Sequence, residues 1–126
     1  MSEIVGRKDF RLRTYRLSVD TLKFLNQLKL SGNSRPLLNQ LVRSVTSIGA
    51  NVVEGRAASS KKDWINFFQI ALKSANETKY WLCLLRDVHD LQKTRIRELI
   101  KETDEVSKIL AASIITIKTR EAEKKR

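Results

Sequence analysis

The sequence predicts an all-α fold, an antiparallel up-down-up-down bundle of four helices in a single domain over residues 1–126. Three observations carry this. Four glycines and one proline in 126 residues leave too few turns for a small all-β chain. Turn-forming residues gather in only three places, Ser31 to Pro36, Gly55 to Ser60 and His89 to Gln92, and three breaks make four segments. Each segment carries apolar residues at helical spacing, and four amphipathic helices with short connections pack as an antiparallel bundle.

The helices are expected at about 11–31, 35–57, 60–88 and 93–121. In the first, Tyr15, Val19, Leu22 and Leu25 form the stripe read as core, while Leu17, Phe24 and Leu28 lie on nearly the opposite side. The second opens with Ser34 as N-cap and Pro36 in its first turn, then repeats Leu38, Leu41, Val45, Ile48 and Val52. In the third, Ser60 and Asp63 form a capping-box start ahead of Trp64, Phe68, Ala71, Ala75, Thr78, Leu82 and Leu85. A second row on that helix, Phe67, Ile70, Trp81, Leu84 and Val88, marks it as the most buried of the four. The fourth has Ile96, Leu99, Val106, Leu110 and Ile117, widened by Ile100, Ile109 and Ile114. The apolar excess on helices one and three predicts self-association, because large contiguous apolar patches do not stay in water.

Lysine and arginine total 25 against 14 acidic residues, a formal charge of +11 with a pI near 10.2. Such an excess favours a polyanionic partner, RNA or DNA, held through its phosphates. No apolar run reaches the roughly 18 residues of a membrane span, and the first residues carry no apolar signal-like stretch, so a cytoplasmic location and no membrane partner are expected. One cysteine, Cys83, cannot form an internal disulfide and reads as an inert, partly buried thiol.

Helix two also carries a polar row, Arg43, Ser47, Asn51 and Glu54, at helical spacing. It has too few carboxylates and no histidine or cysteine, which excludes a zinc site or a dedicated divalent cage. No activating base stands beside a serine or cysteine, and no glycine-rich phosphate loop is present, so neither catalysis nor a cofactor is expected. The row instead predicts interhelical hydrogen bonds and ion pairs with Ser74 and Glu77 of helix three.

Two linked stretches, Ser47-Ile48-Gly49-Ala50-Asn51-Val52-Val53-Glu54-Gly55-Arg56 and Phe67-Phe68-Gln69-Ile70-Ala71-Leu72-Lys73-Ser74-Ala75-Asn76-Glu77, with Ser59 to Trp64 between them, carry a resemblance. The chain resembles the four-helix-bundle proteins encoded in intervening sequences of bacterial 23S ribosomal RNA genes. That family's pattern is Ser-Ile-x-Ala-Asn-Ile-x-Glu-Gly followed by arginine, then Phe-Leu-x-Ile-Ala-x-Gly-Ser-x-x-Glu. It is matched at Ser47, Ile48, Ala50, Asn51, Glu54, Gly55, Ile70, Ala71, Ser74 and Glu77, and the sequence departs from it at Lys73, Ala75 and Asn76. The family is similar in architecture to the basic accessory protein of diversity-generating retroelements. That likeness implies a homopentameric ring and a partner such as a reverse transcriptase.

In an up-down-up-down bundle the start of helix one, the junction of helices two and three, and the end of helix four share one pole. Arg7, Lys8, Arg11, Arg13, Arg16, Lys118, Arg120, Lys124, Lys125 and Arg126 fall there, ten cations against Asp9, Glu121 and Glu123, for +7 of the total +11. Arg56, Lys61 and Lys62 join them at the junction. The expected function is therefore a noncatalytic basic oligomeric module that binds nucleic-acid backbone or a nucleoprotein. The alternatives are a purely protein-binding scaffold and a small ribonuclease like the helical-bundle HEPN domains. Against the ribonuclease, only two residues separate Arg86 from His89, closer than the HEPN motif's arginine and histidine.

Overall fold

The computed structural model describes residues 7–30, 32–89 and 93–125, with side chains from Phe10 and, in the last helix, from Thr94 onward. Four helices, α1 (Arg7–Asn26), α2 (Arg35–Ala57), α3 (Lys61–Val88) and α4 (Lys93–Lys124), follow one another with a 3-10 turn at Gly32–Ser34 ahead of α2. Each packs on its neighbour in sequence and α1 closes against α4, giving the antiparallel bundle. No strand occurs among the described residues.

The core stripes of α2, α3 and α4 fall where periodicity puts them. Leu41, Val45, Ile48 and Val52 are fully buried, as are Ala71, Ala75, Thr78, Leu82 and Leu85 opposite them and Ile96, Val106 and Leu110 on α4. The small Ala71, Ser74, Ala75 and Thr78 bring α3 close to α2, and a fully buried leucine or isoleucine in that layer contributes about 1.5–3 kcal/mol.

Helix α1 reverses the expectation. Of the expected stripe only Leu25 is buried: the buried face is Phe10, Thr14, Leu17, Thr21, Phe24 and Leu25, whereas Tyr15 is 65% exposed and Val19 and Leu22 are only half-buried. Two core positions are threonines, and Thr14 is able to bury its hydroxyl because that group donates to the Arg11 carbonyl at 3.0 Å. The helix also ends at Asn26, short of residue 31. Gln27 and Leu28 close it with bonds to the carbonyls of Phe24 and Leu25, and Leu28 and Leu30 then lie against the core. On α3 the second row is shared: Trp81 and Leu84 are half-buried, while Ile70 and Val88 are exposed.

The two expected helix starts differ. Ser60 caps α3, its backbone extended (φ −130°, ψ 155°) and its hydroxyl accepting the Asp63 N–H at 3.1 Å. Ser34 does not cap α2. The 3-10 turn runs straight into the helix, so its backbone is already helical (φ −88°, ψ −14°), and its Oγ lies 2.7 Å from His89 Nε2 instead. That bond ties the α1–α2 connection to the end of α3.

Candidate nucleic-acid interface at the bundle end

Antiparallel packing brings the last turn of α2, the first turn of α3 and the last turns of α4 to one end. Arg56, Lys61, Arg120 and Lys124 meet there around Trp64. Lys61 Nζ stands 4.3 Å from the Trp64 ring centroid, a cation–π contact. Trp64 meets Phe68 edge-on at 5.9 Å, and Phe68 in turn packs on Phe10 at 6.5 Å. Gly55 permits this cluster, since a Cβ on it would fall 2.8 Å from Phe68 Cδ1. Two adjoining clefts of about 450 and 400 Å³ share Trp64, Ile117 and Arg120 as walls. The larger reaches Arg56 and Ser113 and has no carboxylate in its lining. The smaller carries Glu121 and Glu123 beside its lysines, with Lys124 Nζ 3.9 Å from Glu121.

Lys62, Lys118 and Lys125 are exposed near this end. Arg13 of α1 is elsewhere. Arg13 donates to Glu102 at 2.7 and 2.6 Å and also to Glu105, midway along α4. These bonds raise its guanidinium above the ordinary arginine value, the hydrogen bond to Glu102 being the largest cause. Lys124 lies 19 residues past Glu105, about 28 Å along the helix at 1.5 Å per residue. Arg13 thus leaves the sequence-predicted pole. It clamps α1 to α4, while Arg16 is exposed and Arg11 is half-buried, lining the groove between α1 and α2 with Glu54. Arg7, Lys8 and Arg126 fall outside the described side chains.

The polar row divides as well. Ser74 Oγ donates to Ser47 Oγ at 2.9 Å, Asn51 Nδ2 donates to the same oxygen at 3.0 Å and to the Ser47 carbonyl at 2.8 Å. Thr78 Oγ1 lies 2.9 Å from Ser44 Oγ. Arg43, Glu54 and Glu77 are exposed and take no part in these bonds. At the far end, Arg86 turns to Asp87 at 2.9 Å while the His89 ring turns to Ser34, so the two do not converge on a substrate. Ser34 is only 5% exposed, and its contact with His89 is a tether between the two connections. Cys83 is free and half-buried. No group of three potential metal ligands occurs among the described residues, and no described helix is long and apolar enough to cross a membrane.

Trp64, read as core, does pack against it while also walling both clefts; sequence reasoning missed that second role and the partners of Arg13. The available signal was the Glu102–Glu105 pair, one turn apart on the helix that α1 must meet.

The model of the 23S rRNA-intervening sequence protein family matches residues 9–112. Among solved structures, a protein of unknown function from the S23 ribosomal protein family of Bacteroides thetaiotaomicron is 33% identical, with a TM-score of 0.74 over 86% of this chain and 96% of that one. A comparison with curated proteins gives no match.

Proposed function

The chain belongs to the 23S rRNA-intervening sequence protein family, and from that premise and the charge at its α3–α4 end we propose that it is a noncatalytic, basic, self-assembling module that binds nucleic acid through the phosphate backbone. The observation that carries this is the convergence of Arg56, Lys61, Arg120 and Lys124 on one end of a chain of net charge +11. Cations that outnumber the acids at this end favour a phosphodiester strand, which releases its own counterions on binding. The contacts are to backbone, so discrimination between sequences is weak.

Self-assembly is supported by α1. Tyr15, Val19, Leu22 and Val53 leave an apolar groove between α1 and α2 that no described residue covers, with Arg11 and Glu54 on its lining. A second copy seated there, in a closed homo-oligomer such as the five-membered ring that the family likeness implies, removes that surface from water and multiplies the basic end around one axis.

The test is charge reversal with a mass measurement. Arg120→Glu with Lys124→Glu is expected to weaken binding of RNA and DNA at least tenfold while the oligomeric mass stays that of the wild type. Tyr15→Glu with Val53→Glu is expected to give a monomer by sedimentation. Undiminished binding by the first variant redirects the search to an acidic protein partner.

A further inference from the structure

Beyond charge, the basic end has an interior. The larger cleft, about 450 Å³, lies in the size range of small-ligand sites, about 300–1,000 Å³. Its floor is apolar, built on Phe10, Phe68 and Ile117, and Arg56 and Arg120 line it with no acidic residue among them. Trp64 forms the wall common to both clefts, and its indole N–H is buried without a hydrogen-bond partner among the described residues. Duplex phosphates alone would leave the apolar floor uncovered. A flat heterocycle linked to phosphate meets both features of the cleft, its ring on the floor and its phosphate at Arg120.

Trp81 offers a comparison within the same molecule. Its indole N–H is also unpartnered, but its hollow runs along α3 alone and carries Lys73 and Glu77, one charge of each sign. It lacks the cationic excess that a phosphate needs.

Resting on the nucleic-acid reading above, we propose that the Trp64 cleft takes an unpaired nucleotide, base inward and phosphate toward Arg120, so that the protein prefers single strands or unpaired ends to continuous duplex. A base held in a duplex presents its phosphates but cannot enter a cleft of this depth without unstacking.

Trp81→Phe leaves Trp64 as the sole tryptophan reporter. Its emission is followed while a mixed-sequence single strand, the duplex of that sequence and a nucleoside 5′-monophosphate are titrated separately at one low salt concentration. The single strand is expected to change Trp64 emission saturably and to bind at least fivefold more tightly than duplex. Ala112→Phe, which fills the cleft from an exposed position and keeps every cation, is expected to abolish that preference and leave duplex binding unchanged. Equal binding of strand and duplex with unchanged emission overturns the cleft assignment and leaves backbone binding standing. Saturation by the monophosphate at the same concentrations as by the strand overturns it in favour of a free nucleotide. Failure of every probe removes both readings.

Discussion

Gly55 is the position where one methyl group tests the packing beneath the basic end. A Cβ there would lie 2.8 Å from Phe68 Cδ1, 3.1 Å from its Cε1 and 3.2 Å from Phe67 Cβ. Phe68 cannot retreat, because it is 2% exposed and held between Phe10 and Trp64. Alanine gains up to about 1 kcal/mol over glycine within a helix, and overpacking a closed core costs about 1–3 kcal/mol. The net expectation for Gly55→Ala is a loss of about 0–2 kcal/mol. Gly49 supplies the control: its new methyl would meet Thr14 at 3.5–3.6 Å, ordinary contact, so Gly49→Ala keeps the propensity gain of about 1 kcal/mol. The two alanines should therefore differ by the overpacking cost, about 1–3 kcal/mol, with Gly49→Ala the more stable. Urea unfolding followed by circular dichroism, with midpoint and slope both reported, reads the difference. Equal stabilities for the two variants would refute the argument that Gly55 is present for space.

Arg13→Met should cost about 1 kcal/mol, since the clamp to Glu102 and Glu105 is partly exposed, and should leave nucleic-acid affinity within twofold; a large affinity loss would return Arg13 to the interface. Asn51→Ala should lower stability by about 1 kcal/mol through its lost bonds to Ser47, whereas Glu54→Ala, on an exposed side chain, should change monomer stability by less than about 0.5 kcal/mol. The hydrogen bond from Lys79, then that from Lys108, hold Asp104 below the usual carboxylate range. Its stabilisation is therefore present above about pH 4 and lost as pH falls through the lowered value. Melting curves between pH 5 and pH 2.5 should show the wild type losing an increment that Asp104→Asn does not lose, and parallel curves would count against the pairing.

How far the sequence could be read depended on which atoms filled each core stripe. Helices α2, α3 and α4 bury aliphatic side chains at regular spacing, so Leu41 to Val52 and Ile96 to Ile117 announce their inward faces. Helix α1 buries Thr14 and Thr21, exposes Tyr15 and leaves Val19 half-buried, so part of its apolar pattern points outward. Threonine is nearly the volume of valine, and Thr14 satisfies its hydroxyl on the preceding turn. The pattern carries no mark of that. The basic end followed from topology, since antiparallel connections force α2, α3 and α4 to meet where Arg56, Lys61, Arg120 and Lys124 sit. Register did not follow. Helix α1 has 20 residues and α4 has 32, and only packing reveals that Arg13 stands beside Glu102. Ser34 carried a genuine cap signal that the 3-10 turn overrode.

The measurement that bears most directly on the account is the slope of log affinity against log salt for single-stranded nucleic acid, compared between the wild type and Lys61→Glu with Arg120→Glu. Engagement of the four clustered cations by strand phosphates predicts a slope of about −3 per protomer for the wild type, at about −0.7 per phosphate, and a slope shallower by about 1.4 or more for the variant. A salt-independent affinity, or one whose slope the double reversal leaves unchanged, would contradict the assignment of this end of the bundle as a phosphate-binding surface.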